Sequence, residues 1–208
     1  MKLLRAAALS LLAAAPLAAL AAGPVLVTFE KTWDFGNGDV NAYYGGGTAA
    51  DGTSGANVGV SFVNVSGLSN DALGPYYSGA PSPLGVAYAH DDHAFMNMSE
   101  WAVGTFAFFY SSPVAVLGAV KAYSGLNGTG TLLGSLDLLA NADAYDHWSL
   151  ASFAFTGSAR SFDFSGAGAG SAVAFDNIAV TAVPEPSTML LMLVGGAAVL
   201  RAKTRRRA

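Results

Sequence analysis

Cysteine is absent from this 208-residue chain, which excludes disulfide bonds, thiolate metal sites and a cysteine nucleophile. Basic residues are scarce in the middle of the chain. Between residues 23 and 182 there are three of them, Lys31, Lys121 and Arg160, against thirteen acidic residues, which leaves this body with a net charge of −10. A surface with that charge repels phosphate groups, so we expect no nucleic-acid partner.

The N-terminal segment combines a short cationic stretch with an apolar run. Met1–Arg5 is cationic, and Ala6–Leu20 is apolar over fifteen residues, which is shorter than the ~20 residues of a comfortable spanning helix. Residues 19–21 (Ala-Leu-Ala) have the small-x-small pattern that signal peptidase cleaves. The sequence therefore predicts a signal peptide over residues 1–22 and an exported protein, with an uncleaved N-terminal anchor as the alternative.

The C-terminal segment, residues 183–208, has three parts in order. Pro184, Glu185 and Pro186 precede a twelve-residue uncharged run, Met189–Leu200. The run is followed by a basic cluster of Arg201, Lys203, Arg205, Arg206 and Arg207. Twelve helical residues span only about 18 Å of a hydrocarbon core of about 30 Å. We therefore expect a short hydrophobic helix that enters the inner membrane transiently, with the basic cluster on the cytoplasmic side.

This arrangement of a Pro-Glu-Pro tripeptide, a short hydrophobic stretch and a terminal arginine cluster resembles the PEP-CTERM sorting signal. The resemblance implies that an exosortase, a transpeptidase-like membrane enzyme, processes the protein near Pro184–Pro186. It also implies an association with exopolysaccharide and biofilm production, and hence a location at the cell surface or in the extracellular matrix. A simple tail anchor is the alternative.

The body, residues 23–182, has the pattern of an antiparallel all-β domain. Short runs rich in Val, Phe, Tyr and Thr are separated by Gly, Asn, Ser and Pro, which is typical of strands and turns. Asn127-Gly128 predicts a hairpin turn, and residues 36–59 have the composition of long loops. Nine strands without helical crossovers predict a jelly-roll-like β-sandwich. The predicted strands are 25–30, 58–63, 84–89, 103–110, 114–123, 131–138, 148–155, 160–164 and 172–181.

The first and last predicted strands resemble those of carbohydrate-binding jelly rolls. The first ends at Phe29-Glu30, and the last contains the run Phe175-Asp176-Asn177-Ile178. The resemblance implies that these strands are neighbours and that Glu30 and Asp176 hold a structural calcium ion. Calcium is the one cofactor that we expect, and no residue of the body is assigned a catalytic role.

Two other clusters offer ligands for a metal ion. His90, Asp91, Asp92 and His93 could hold a divalent ion if a loop made them converge, but a solvated acidic loop is the favoured interpretation. Asp34, Asn37 and Asp39 offer oxygen ligands without the spacing of an EF-hand, which favours a solvated turn.

Several aromatic residues near predicted loops could stack on sugar rings, although most aromatic residues of a β-sandwich belong to its core. They are Trp33, Tyr43, Tyr44, Tyr76, Tyr77 and Trp101. The leading hypothesis is a non-enzymatic envelope or matrix protein that binds glycans, with exopolysaccharide as the expected partner, or calcium. A polysaccharide-active glycoside hydrolase or lyase and a purely structural matrix component are the alternatives.

Overall fold

The computed structural model describes residues 23–70, 76–168, 170 and 173–183. This part of the chain is 48% strand and 3% helix, and its strands pair antiparallel in one curled sheet. The elements are β1 (Gly23–Val27), β2 (Val60–Val63), β3 (Val65–Ser69), β4 (Gly85–Ala89), β5 (Phe95–Ser111), β6 (Val116–Tyr123), β7 (Leu132–Leu138), β8 (Ser149–Ala154), β9 (Ala159–Asp163), α1 (Ser165–Gly168) and β10 (Ala174–Val183). The all-β prediction is confirmed.

The curl of the sheet depends on β5, which changes neighbours along its 17 residues. Its first part, Phe95–Met98, lies between β2 and β9. Its second part pairs with β10 over residues 101–111 and with β8 over residues 105–110. Irregular register in the pairings with β9 and β10 bends the strand, as β-bulges do. The strand order along the sheet is β3-β4-β10-β5-β9-β6-β7. Strand β1 lies outside this order and pairs with β10, as the jelly-roll resemblance implied.

A stack of phenylalanine side chains fills the core. The rings of Phe106 and Phe162 stack at a centroid distance of 4.0 Å, and those of Phe164 and Phe175 at 4.7 Å. Phe106, Phe108 and Tyr110 alternate along β5 and are all buried, which agrees with the alternation in the sequence. Aromatic contacts of this kind contribute about 0.5–1.5 kcal/mol each beyond the area they bury.

The segment between β1 and β2 belongs to the core more than its composition predicted. Its residues 36–59 were expected to form loops, and they do lie outside the strands. Val40, Tyr44 and Ala49 are nevertheless buried, as is Trp33 just before them. Trp33 Nε1 donates to the Phe29 carbonyl oxygen at 2.9 Å, and the Phe29 amide donates to the Tyr44 hydroxyl at 3.0 Å. These bonds hold the segment against the sheet.

The predicted turn at Asn127-Gly128 is confirmed. Both residues have positive φ, +51° and +67°, and the Thr129 amide donates to the Leu126 carbonyl oxygen at 3.1 Å. This is a type I′ turn, and it joins the antiparallel pair β6 and β7.

Within the described residues, no helix has the length and hydropathy needed to span a membrane. The predicted signal peptide (1–22) and the hydrophobic run Met189–Leu200 lie outside those residues. Both therefore stay predictions from the sequence.

Candidate functional site

Asp176 and Glu30 lie at the same end of the adjacent strands β1 and β10. Val27 of β1 pairs with Ile178 of β10, so Glu30 leaves the sheet near the register irregularity that follows Asp176. Phe29 and Asn177, their neighbours, both have positive φ. Asp176 is fully buried and Glu30 is exposed.

The buried carboxylate of Asp176 is held by backbone amides. Its Oδ2 accepts from the Ser82 amide at 2.6 Å, and its Oδ1 accepts from the Asn177 amide at 2.7 Å. Glu30 Oε2 accepts from the Leu84 amide at 3.4 Å, so the 82–84 segment contacts both acids. Burial raises the pKa of Asp176 to about 6, and the negative charge of Glu30 adds to the rise. The hydrogen bonds from Ser82 and Asn177 lower the pKa but do not offset the effect of burial. No described basic side chain forms an ion pair with Asp176.

Of the cluster at residues 90–93, the structure brings three members together. The candidate ligand atoms of Asp91, Asp92 and His93 lie within 4.8 Å of one another, and all three residues are exposed. Hydrogen bonding to Asp92 raises the pKa of His93. His90 instead places its Nε2 at 3.1 Å from Asp39 Oδ1. The four residues therefore do not form one site.

The other candidate oxygen ligands, those of Asp34, Asn37 and Asp39, do not converge either. Asp34 Oδ1 accepts from the Gly36 amide at 3.0 Å and its Oδ2 from Asn37 Nδ2 at 3.4 Å, which is the hydrogen bonding of a local turn. Asp39 contacts Ser66 and His90. The solvated-turn interpretation fits this geometry.

An aromatic cavity of about 290 Å³ opens beside β3 and β4. Phe35 and Tyr76 form its exposed edge: they are 78% and 46% exposed, and their rings are nearly parallel, with planes 10° apart and centroids 6.0 Å apart. This set of residues is called the aromatic cavity below. Its lining consists of Phe35, Leu68, Tyr76, Tyr77, Val86, Tyr88, Tyr145, Val173 and Ala174.

The floor of the aromatic cavity is built by three neighbouring strands. Leu68 of β3 pairs with Val86 of β4, and Tyr88 of β4 pairs with Ala174 of β10. Because alternate residues of a strand face the same side, the side chains of Val86 and Tyr88 lie on the same face of β4. The cavity thus rests on regular hydrogen-bonded structure.

Hydrogen bonds also fix the segment that carries Tyr76 and Tyr77. The Ser78 amide donates to the Tyr145 carbonyl oxygen at 3.0 Å, and Trp148 Nε1 donates to the Ser78 carbonyl oxygen at 3.1 Å. Asn70 Nδ2 donates to the Tyr77 carbonyl oxygen, and the Trp148 ring packs edge-on against Tyr77. This aromatic wall is preformed.

A second cavity of about 340 Å³ lies beside the first part of β5, at residues 97–99. It is called the polar cavity below because polar side chains contribute much of its lining. Asn57, Asn97, Ser99 and Arg160 are among its lining residues. Arg160 Nε donates to the Met98 carbonyl oxygen at 3.1 Å, and its guanidinium lies 5.1 Å from the Trp101 ring centroid. Trp101 therefore packs against a cation.

The aromatic residues singled out in the sequence divide between cavity and core. Tyr76 and Tyr77 line the aromatic cavity, whereas Trp33 and Tyr44 belong to the core and Tyr43 packs against it. Sequence reasoning missed Phe35, whose signal was an aromatic residue within the polar turn Asp34-Phe35-Gly36-Asn37.

The family model of the PEP-CTERM protein-sorting motif matches residues 182–207. No curated protein matches the chain. The motif covers Pro184, Glu185 and Pro186, the hydrophobic run and the basic cluster through Arg207, so the predicted PEP-CTERM sorting motif is confirmed. It makes an exosortase the processing partner and implies export with membrane-anchored processing. The chain therefore carries a PEP-CTERM protein-sorting motif at residues 182–207, after an all-β body.

Proposed function

We propose that this exported protein is a non-enzymatic component of the cell surface or extracellular matrix whose body binds glycans at the aromatic cavity. The observation that carries the proposal is the exposed, parallel pair of Phe35 and Tyr76 at the edge of that cavity. Exposed aromatic side chains next to a preformed concave wall are typical of ligand sites. The sorting motif supports the proposal because it implies export, and extracellular glycans are then available to the body.

The physical basis is the two-sided chemistry of a pyranose ring. One face of many sugars is lined by C–H groups, and laying it on Phe35 and Tyr76 removes apolar surface from water while the hydroxyl groups at the ring edge stay hydrated. Since the cavity wall is preformed, little conformational entropy is lost when a sugar binds.

The test compares the full chain, purified in detergent, with two variants on a glycan array and by titration calorimetry. The double substitution of Phe35→Ala with Tyr76→Ala is expected to abolish detectable binding. Leu139→Ala is the matched control, because Leu139 is 74% exposed and lies outside the cavity. Equal binding by the double variant would overturn this site, and loss of binding in Asn57→Ala with Ser99→Ala would assign it to the polar cavity. Release of new reducing ends from bound glycans would overturn the non-enzymatic part.

Calcium binding by Glu30 and Asp176 is the second part of the proposal. The candidate calcium ligands around Asp176 are all oxygen atoms, which calcium prefers. They are the carboxylates of Asp176 and Glu30, the Thr28 carbonyl oxygen and the Asn177 side-chain carbonyl oxygen. The Ser82 hydroxyl bonds to the Thr28 carbonyl oxygen and lies 3.3 Å from Asn177 Oδ1, which gathers these groups. The Asp176 carboxylate uses two of its roughly four acceptor positions for amides, so acceptor capacity remains for a cation.

A further inference from the structure

The chemistry of the floor of the aromatic cavity restricts what part of a sugar can enter it. Leu68, Val86 and Ala174 carry only hydrocarbon side chains. Tyr77 contributes its ring, because its hydroxyl is buried and has no hydrogen-bond partner among the described residues. Burial raises the pKa of Tyr77 to about 12. A hydroxyl group in contact with this floor would lose its hydrogen bonds to water without replacement.

Besides the hydroxyl groups of the lining residues Tyr76, Tyr88 and Tyr145, further polar groups are found beside the cavity. The Tyr88 ring contacts the His90 ring edge-on at a centroid distance of 6.3 Å, and His90 is bonded to Asp39. The imidazole and the carboxylate can exchange hydrogen bonds with the hydroxyl groups of a sugar that projects from the cavity. The site therefore has an apolar interior and a polar margin.

The charge of the body adds a second restriction. With three basic residues against thirteen acidic ones between residues 23 and 182, the body has a field that disfavours anionic ligands. Lys31, one of the three, is already paired with Asp51. A uronate or a sulfated sugar would approach the cavity against this field.

Building on the proposed glycan site, we infer that the aromatic cavity selects neutral 6-deoxy sugars, whose methyl group enters the apolar floor. The ring stacks on Phe35 and Tyr76, the methyl group contacts Leu68 and Ala174 above the fully buried Val86, and the hydroxyl groups face the margin near His90. A volume of about 290 Å³ is at the lower end for ligand pockets, which fits one sugar residue of a longer chain.

The experiment uses matched pairs of methyl glycosides that differ only by one hydroxyl group: L-fucose against L-galactose, and L-rhamnose against L-mannose. Titration of the full chain by ligand-observed NMR is expected to show about tenfold tighter binding of the 6-deoxy member of at least one pair, because the other member buries an unpaired hydroxyl. The glucuronic acid glycoside is expected to bind more weakly than either. Leu68→Thr places a hydroxyl in the floor at a partly exposed position, and Ala174→Ser does so at a second position; both are expected to reduce the preference to less than threefold.

The outcomes separate this inference from the proposed function. Equal affinities within both pairs would overturn the inference while glycan binding stood. A preference that persists unchanged in both floor variants would place the methyl group elsewhere and would also overturn it. Tighter binding of the uronate would contradict the requirement for a neutral sugar. No binding of any sugar, by array or by NMR, would overturn the proposed function itself.

Discussion

Asp176 places an ionisable carboxyl group where no solvent reaches it, and the stability of the fold should report its titration. Its pKa is raised from 3.8 to about 6 by burial, so the folded state binds the proton more tightly than the unfolded state does. The free energy of unfolding should therefore fall as the pH rises from 4 to 6, by at most about 3 kcal/mol. Urea denaturation in EDTA at several pH values measures this slope, and Asp176→Asn should flatten it. The same slope in the variant would assign the effect to general repulsion among carboxylates.

Asp51 titrates in the opposite sense and provides an internal comparison. Burial alone would raise its pKa, but hydrogen bonds from Lys31 and Thr53 lower it to about 2. Its contribution to stability is present above pH 4 and is lost as the pH falls further. In EDTA the body is thus expected to be most stable near pH 4.

Calcium should change the response of Asp176 if the proposed site exists. A cation favours the charged carboxylate, so calcium binding stabilises the body at pH 7 and loses strength as the pH falls through 6. At a hundredfold excess over Kd the stabilisation is ~2.7 kcal/mol. Thermal melts in EDTA, calcium and magnesium measure it, with magnesium as the control for charge screening. Equal shifts from the two ions, or a calcium shift that survives Glu30→Gln with Asp176→Asn, would contradict the assigned site.

Gly67 is required by the close packing of Trp33 on β3. A Cβ at this position would lie 2.1 Å from the Trp33 ring, so Gly67→Ala must displace a buried indole. We expect a loss of at least 1–3 kcal/mol in the free energy of unfolding. Gly36→Ala is the matched control, because a Cβ there would lie 3.7 Å from the nearest atom. Denaturant titration of both variants should show a large loss in the free energy of unfolding for Gly67→Ala alone.

At the scale of elements, the turn of the β6–β7 hairpin contains a glycine whose replacement would have two costs, backbone strain at a positive φ and a steric clash. A glycine elsewhere in the chain would have only the first cost. Gly128 has φ of +67°, and a Cβ there would lie 2.7 Å from Phe95 Cε1; Gly52 has φ of +80° and open space around it. Gly52→Ala should cost about 1 kcal/mol from its backbone alone. Gly128→Ala should cost more, because Phe95 must also move. Equal losses in the free energy of unfolding, measured by urea denaturation, would show that Phe95 moves aside without cost. The backbone conformation of the turn would then account for the whole effect.

The strands that the sequence predicted well are those with alternating aromatic or β-branched residues, such as the second part of β5. The first part of β5 was missed because Asn97, Ser99 and Glu100 interrupt its apolar pattern, although Met96 and Met98 are buried. β3 was missed because Gly67 and two serines have low strand propensity. That glycine is explained only by Trp33, a contact between distant residues that local patterns do not contain.

The candidate sites show the same division between local and distant information. The pairing of β1 with β10 followed from the resemblance of the terminal strands, but the complete burial of Asp176 depends on Ser82, 94 residues away. Tyr76 was a candidate for sugar stacking, whereas its partner Phe35 and the floor residues Leu68 and Ala174 come together only through sheet topology. The sequence could indicate that aromatic residues were available for a binding site, but it could not show which of them lie side by side in the folded protein.

At the scale of the whole molecule, charge and hydropathy divide the chain into a body with a net charge of −10 and two ends that carry seven of the ten basic residues. This division predicts an orientation in the membrane, because we expect the basic cluster from Arg201 to Arg207 to resist translocation while the acidic body is exported. The hydrophobic run between them has twelve residues, fewer than the ~20 of a comfortable spanning helix, so we expect a transient membrane intermediate that an exosortase resolves.

This division predicts the mass of the mature protein. In a host with its exosortase, the mature chain should lack the residues beyond about Pro186, whereas deletion of the exosortase should leave the tail in place and the protein in the membrane fraction. Pro184→Ala with Pro186→Ala should give the unprocessed mass even when the enzyme is present, because both prolines of the Pro-Glu-Pro motif are lost. Pro113→Ala, in the connection between β5 and β6, is the control for a general effect of proline removal and should be processed normally. Intact-mass spectrometry decides between these outcomes, and a full-length C-terminus in the unmodified host would contradict processing at the motif.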